Sequence, residues 1–553
     1  MLSLLSNKKS LSFDGKFTLG KTILFVLICF AWLIPGLTGH SPWKYDEAVS
    51  QGIVYHLNHG GHWLYPTLGG EPYFNTPPFY FWVAALIQRV FEGWVNPADA
   101  ARLASGLFMT LTFIVTALGG YTLFGTRAMR ASVILLMGCV GLLLRAHEMS
   151  SHLSWITGTA MVLAAIPWSR NQSLWAGLLA GTGLGIAFLS IGPIAVGLLL
   201  PLMIFSPVVI KPVKPSNTLF YILAIILSLA PFLIIWPYAL HLHHPHEFQQ
   251  WWIRLVEPFL HPEKWFILTT SPFYYLGVSI WFAFPAGPLS LGVIWYGGKT
   301  LRSRPSIRFI MLAILWFYFV LGFCTQPNEF YVLVLLVPLS LLAGGNIDLL
   351  KRGTAHALDW FGMITFGLIT TALWLGWIAQ LLNFPESIVN LLDDKLPGYR
   401  AQFHTLPFLF ALFITLLWIV TIMRSHQNAR RALINWSVGL TVTWLLLMTL
   451  WLPYIERARG YTSVMASLST HLVNNNQDCI ASLGLGEPQR GLLEYYLNLH
   501  TERLEINRGK NCPLILIQDN PRHRIYPAIK GTLLWSGSRP GDHNERLYLY
   551  SKS

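Results

Sequence analysis

The sequence predicts a mostly α-helical, polytopic membrane protein with about thirteen transmembrane helices, interfacial helices in a long first outside loop and a small extracytoplasmic α/β domain at the C-terminus. Three observations carry that prediction. Of 553 residues, 54% are hydrophobic and 14% aromatic while only 11% are charged, against about 25% charged in ordinary soluble proteins. Long apolar runs recur from residue 21 to residue 453, and the loops between them alternate between rich and poor in Lys and Arg. Beyond residue 453 polar residues return and short apolar runs replace the long ones.

A net charge of +13 raises nucleic acid as a partner, but the basic residues form no single patch and no nucleic-acid-binding motif is present. The run TILFVLICFAWLIPGL follows a polar, lysine-bearing start and resembles a signal peptide, yet a bulky aromatic stretch follows it where a small-residue cleavage site belongs. It therefore reads as the first membrane helix. The thirteen apolar runs are 21–38, 100–124, 130–145, 151–168, 172–189, 191–207, 217–240, 272–297, 306–323, 329–347, 358–381, 405–424 and 432–453. The loop set that begins with the N-terminus holds eighteen Lys and Arg against eight in the other set. That asymmetry places the N-terminus in the cytoplasm and, after thirteen crossings, the tail outside it.

Loop one, residues 39–99, is the most unusual stretch. It carries Asp46-Glu47, Gly-Gly turns, a Gly-Glu-Pro-Tyr corner and Pro77-Pro78. Its WVAALIQRVF run is too short for a convincing span, so short interfacial helices are expected, with Trp43, Trp63, Tyr65, Tyr73 and Trp82 as headgroup anchors. The 241–271 loop, with HLHHPHEF and WWIRLVEPFLHPEKW, reads the same way. The tail alternates DCIASLGL, CPLILIQD, GTLLWSG and RLYLYS with one helical run, QRGLLEYYLN, as in a small α/β domain. No phosphate-binding glycine fingerprint occurs there, so no chemistry is assigned to it. The boundaries are 1–453 for the membrane domain and 454–553 for the tail.

Several residues are placed for chemistry. Asp46 and Glu47 lie just above the bilayer, where a carboxylate can serve as a general base or orient an acceptor; taken alone, the pair reads first as a solvated loop or a helix N-cap. Mutual repulsion would raise the pKa of one of them. Glu148, with Arg145 and His147, lies at the outer end of the third run, where grouped ionisable residues point to function and a cation suits a lipid phosphate. The outside histidines leave a divalent metal as the one cofactor to consider, but HLHHPH lacks a fixed-spacing partner motif and fits headgroup contact better. The five cysteines form no CxxC motif; Cys479 and Cys512 could pair in an oxidising compartment.

The order of motifs resembles the GT-C fold glycosyltransferases that include the lipid A aminoarabinose transferase and the protein O-mannosyltransferases. The resemblance rests on Asp46-Glu47, GGEPYFNTPPFYFW, AARLASGLF, RAHEM, GLGIAFLSIGPIAVGLLLP, SPFYYLGVSIWFAFP and QPNEFYVLVLLVPLSLLAG, in that order across residues 40–350. It implies an inner-membrane enzyme that moves one sugar from a polyprenyl phosphate to a lipid A, glycan or protein acceptor, with inversion. It implies catalytic roles for Asp46, Glu47 and Glu148, and substrate contacts at Lys44, Glu71, Tyr73, Pro77, Pro78, Arg102, Arg145, Arg254, Lys264, Tyr274 and Tyr331. Four positions depart from the family pattern. Val49 and Ser50 stand where an Arg and a Tyr are usual, Thr76 replaces a Lys before Pro-Pro, and Ile191, beside Ser190, replaces a Lys before Gly-Pro. Those cations would hold phosphate. Lys44, Arg102, Arg145, Arg254 or Lys264 substitutes for them, or the donor chemistry differs, or the chain is a silent relative. A lipid-linked glycan transporter is the rival class, though no paired internal repeat is seen.

Overall fold

A computed structural model describes residues 19–210, 215–261, 273–424, 429–473, 479–522 and 531–552. Each of the thirteen apolar runs is a helix or a bent pair of helices. Among the described residues, seven helices are long and apolar enough to cross a membrane, eight if Tyr274–Phe282 and Ala286–Lys299, bent by 101°, make one span. Four shorter apolar helices accompany them. The chain is a multi-pass membrane protein, and its helices satisfy their own backbone groups as a hydrocarbon environment demands.

Local sequence explains where the outer ends stop and start. Helix α1 (Leu19–Leu33) leads into loop one, which forms α2 (Asp46–Asn58), a two-stranded antiparallel ribbon of β1 (Thr67–Leu68) and β2 (Glu71–Pro72), and α3 (Phe79–Val90). The ribbon turns through Gly69 and Gly70, both with positive φ, a conformation that glycine adopts without strain. Helix α4 (Pro97–Phe124) opens with Asn96, whose side chain accepts from the Ala98 N–H at 3.1 Å, followed by Pro97 in the first turn. That is a strong helix start. The third apolar run breaks at Gly138-Cys139 into α5 (Thr126–Met137) and α6 (Val140–Arg145). Helix α7 (Ser151–Trp168) is capped by Ser150.

Loop one is not dominated by lipid-facing aromatics. Trp43 and Tyr65 are buried, and the indole N–H groups donate inward: Trp43 to Glu456 Oε2 at 2.9 Å and Trp82 to the Trp63 carbonyl at 2.5 Å. A tryptophan that finds a protein acceptor has no need of a headgroup. The most exposed aromatic ring of loop one is Trp94, 87% exposed, just beyond α3. Elsewhere, Leu223, Ile226, Leu227 and Ile234 of the 217–243 span are exposed, as a lipid-facing surface should be.

The tail forms a mixed five-stranded sheet in the order β4 (Glu502–Arg503), β3 (Ile480–Leu483), β5 (Leu514–Asp519), β7 (Arg546–Lys552) and β6 (Gly531–Gly537). β3 is parallel to both β4 and β5; β7 is antiparallel to β5 and β6. All four strand-like runs of the sequence are strands, and the helical run lies in Glu487–Leu497. A disulfide joins Cys479 and Cys512, with Cα atoms 5.1 Å apart.

The sheet unit is locked onto loop one. Helix Glu487–Leu497 runs beside α2 in the same chain direction, so Tyr45 meets Glu487, Gly52 meets Gly491 and His56 meets Glu494. A Cβ on Gly52 would lie 2.5 Å from Gly491 Cα, so the two backbones touch. Lys44 pairs with Glu545 at 2.6 Å, and Glu71 pairs with Arg490 at 2.9 Å and with Arg503 at 3.1 Å.

Candidate functional site

At the N-terminal ends of these two parallel helices lies a cavity of about 310 Å³. Its walls come from widely separated parts of the chain, among them Ile191 at the end of the Ser173–Ile191 helix. Helix α2 and the residue before it supply Tyr45, Asp46, Val49 and Ser50; loop one supplies Tyr73, Asn75 and Thr76. The α6–α7 turn supplies Ser150, Ser151 and His152, and Asn328 and Tyr331 come from the start of the 329–345 helix. Glu487 closes it from the C-terminal unit.

Asp46 sits within a hydrogen-bonded chain. Ser150 Oγ donates to Asp46 Oδ2 at 3.3 Å and lies 2.9 Å from His152 Nδ1. With the hydroxyl proton directed at the carboxylate, Ser150 oxygen accepts from Nδ1–H. His152 Nε2 then carries a lone pair; it is buried and has no partner among the described residues. Burial raises the Asp46 pKa to about 6 against the opposing effects of Arg145 and the Ser150 hydrogen bond. Glu487 and Glu329 add to the rise. The sequence-based expectation named the adjacent Glu47 as the repelling charge; its carboxylate is instead engaged by Arg102.

Glu47 and Arg102 do not line the cavity. Arg102, 0% exposed, donates from Nε to Glu47 Oε1 at 2.5 Å and from Nη1 to Asp99 Oδ1 at 2.6 Å, and also holds the Leu37 and His40 carbonyls. Glu47 Oε2 accepts from the Trp43 N–H at 3.0 Å. A guanidinium with this many acceptors ties the start of α2 to α4, and the pair positions Asp46 from behind. Glu148 and Glu329 both pair with Arg145, whose guanidinium lies 4.2 Å over the Phe330 ring. Burial pushes the Glu148 pKa up to about 7, with Arg145 opposing.

The other sequence-nominated residues divide. Tyr73 and Tyr331 line the cavity. Lys44 and Glu71 are taken up by the C-terminal unit. Pro77 and Pro78 are buried, and Pro78 precedes α3, which keeps neighbouring Thr76 in the cavity wall. Tyr274 is half-buried, whereas its neighbour Tyr275 donates to the Gln326 carbonyl at 2.9 Å and so orders the loop before Asn328. Arg254 is exposed, and Lys264 lies outside the described residues. The histidines of HLHHPH form no three-ligand cluster among the described residues.

The three positions where the resemblance expects a cation converge here: Val49, Thr76 and Ile191 all line the cavity. No Lys or Arg among the described residues does so, and the two carboxylates are Asp46 and Glu487. Sequence reading did not nominate Glu487, Ser150, His152, Asn75 or Asn328. Its one available signal for Glu487 was a second Gly-Glu-Pro, residues 486–488, matching 70–72 of loop one.

No protein-family model matches the chain. Among curated proteins it is similar to the undecaprenyl phosphate-alpha-4-amino-4-deoxy-L-arabinose arabinosyl transferase of Pseudomonas savastanoi pv. phaseolicola, 26% identical over 444 residues, 77% of this chain and 76% of the relative. The protein of the same name from Pseudomonas aeruginosa UCBPP-PA14 is 24% identical over 452 residues, 78% and 75%. Crystal structures of ArnT from Cupriavidus metallidurans, in the apo state and bound to undecaprenyl phosphate, superpose with a TM-score of 0.67 at 16% identity, covering 96% of this chain and 98% of theirs. The chain therefore has the ArnT-like GT-C fold, throughout its membrane helices and its C-terminal sheet.

Proposed function

We propose that the chain is an integral membrane glycosyltransferase that moves one sugar from a polyprenyl phosphate to an acceptor hydroxyl at the outer face of a bacterial inner membrane. The reading is supported by its likeness to arabinosyl transferases over three quarters of its length and, within the structure, by the position of Asp46 at the cavity wall. In the proposed reaction the acceptor oxygen attacks the anomeric carbon from the face opposite the phosphate. The carbon–phosphate oxygen bond breaks, the phosphate leaves on the lipid, and Asp46 takes the acceptor proton. No nucleotide sugar is needed, because the lipid delivers the donor.

The charge of the cavity bears on the donor. Without a lysine at residues 76 or 191, the leaving phosphate needs another cation, and Arg145 is one whose charge acts on Asp46. Its Glu329 partner has a side chain 37% exposed, so that ion pair can open toward an incoming phosphate. Asp46 and Glu487, with no cation between them in the wall, suit a sugar bearing an ammonium group; the curated relatives are named for a 4-amino sugar.

The topology proposed with this function places residues 1–453 as the membrane domain with a cytoplasmic N-terminus and residues 454–553 on the periplasmic side. The Cys479–Cys512 disulfide supports an oxidising compartment for the tail. The deciding experiment is an Asp46→Asn protein, purified and folded, in a lipid-linked sugar transfer assay. Loss of a general base lowers turnover about 10²–10⁴-fold, and full activity in Asp46→Asn removes the mechanism. Retained binding of polyprenyl phosphate by the unmodified chain, with no turnover of any lipid-linked sugar, would identify a silent relative.

A further inference from the structure

The parallel helix pair that holds Asp46 and Glu487 at one end carries a second cluster at the other. His56 near the end of α2, Glu494 on the partner helix and His500 just beyond it bring three ligand atoms within 4.8 Å of one another. His56 Nδ1 lies 2.6 Å and His500 Nε2 3.0 Å from the same oxygen, Glu494 Oε1. The other carboxylate oxygen accepts from the Gly69 N–H at 2.7 Å, which fixes the carboxylate plane with Oε1 turned toward both rings.

We propose that His56, Glu494 and His500 form a zinc site that staples the C-terminal unit to loop one. The donor set is two imidazoles and one carboxylate, a combination zinc takes with bonds of about 2.0–2.2 Å. Ligand atoms around such an ion stand roughly 3.3 Å apart, so the observed spacing needs only a small opening to admit it. The hydrogen bond from Gly69 to the second carboxylate oxygen is the supporting contact that ligating carboxylates require. His500 is about half exposed, leaving a fourth position for water. Ten residues of helix separate His56 from Asp46, about 15 Å, so the ion lies away from the cavity. It acts by fixing the register of the helix pair and thereby the position of Glu487 over Asp46. Binding replaces the two imidazole contacts to the carboxylate oxygen with two metal–nitrogen bonds, and in each neutral ring the proton then resides on the nitrogen that does not ligate.

The test uses the full chain in detergent, stripped with EDTA, incubated with zinc chloride and desalted before zinc is counted by mass spectrometry. One zinc per chain is expected, falling at least tenfold in His56→Ala and in His500→Ala, with zinc raising the thermal midpoint of the unmodified chain but of neither variant. His500 is exposed enough for its alanine variant to fold, and gel filtration verifies that. A folded, unmodified chain that retains no zinc overturns the proposal. So does zinc retained in His500→Ala and lost in a His241→Ala, His243→Ala, His246→Ala triple variant, which would move the ion to the histidine-rich loop.

Discussion

Gly52 of α2 and Gly491 of the C-terminal helix cross at backbone contact, so close that a Cβ on Gly52 would stand 2.5 Å from Gly491 Cα. This crossing sets the distance between Asp46 and Glu487 on one side and among His56, Glu494 and His500 on the other. Replacing Gly491 with Val forces a branched side chain into the backbone of Ala48. Over-packing of that kind costs about 1–3 kcal/mol. The expected readouts are a lowered thermal midpoint and easier proteolytic release of the C-terminal unit. Gly353→Ala, where a Cβ meets nothing within 4 Å, should be neutral or slightly stabilising; equal damage from both variants would show that the crossing is not special.

Arg102 is the strongest candidate for a purely structural charge. Arg102→Met leaves Glu47 and Asp99 facing each other in a buried space, a change worth about 3–5 kcal/mol. The folded yield after membrane extraction should collapse. A variant that is extracted, folded and merely slow would instead place Arg102 in substrate binding.

Turnover should depend on pH through Asp46. Its carboxyl must be ionised to accept a proton, and burial raises its pKa to about 6, so activity should climb with pH and reach half its plateau near pH 6. Ser150→Ala removes a hydrogen bond that favours the ionised form, and the midpoint should move to higher pH. Stability runs the other way. A carboxyl whose folded pKa is raised contributes most when protonated, and that contribution is lost as pH rises from the usual carboxylate range through 6. A midpoint unmoved in Ser150→Ala would assign the titration to another group.

Glu487 comes from the C-terminal unit, accepts from Tyr45 and from Asn75, and lines the cavity. Glu487→Gln should keep the fold, because its amide oxygen still accepts from Asn75 while its NH2 donates to the Tyr45 hydroxyl oxygen in place of the reverse bond. The KM for a lipid-linked amino sugar should rise at least tenfold, while that for a neutral sugar changes little. Equal losses for both donors would make Glu487 a docking residue.

Opening the Cys479–Cys512 disulfide with a Cys512→Ser variant should lower stability by about 2–4 kcal/mol. In intact cells, an impermeant maleimide should label Cys479 of that variant only if the tail is periplasmic. Absence of labelling in cells, with labelling after lysis, would reverse the proposed topology.

Much of the fold was legible in the sequence because apolar length and loop charge are local properties. Every apolar run from 21–38 to 432–453 is a helix or bent pair, and DCIASLGL, CPLILIQD, GTLLWSG and RLYLYS are strands. The first-loop motifs pointed to Asp46 for the same reason: a carboxylate beside glycine and proline corners can be read without knowing its neighbours. What composition and order could not determine is which side chains meet. The sequence presented Asp46-Glu47 as one pair, but helical geometry turns Glu47 back to Arg102 and Asp46 forward to Ser150. It showed three substituted cation positions far apart in the chain, and only packing brings Val49, Thr76 and Ile191 to one cavity. It assigned the tail no chemistry, yet a glycine crossing, 439 residues apart in sequence, carries Glu487 to Asp46 and Glu494 to His56. Side-chain partnership across such separations depends on helix register and close backbone approach, which exist only once the tertiary structure has formed.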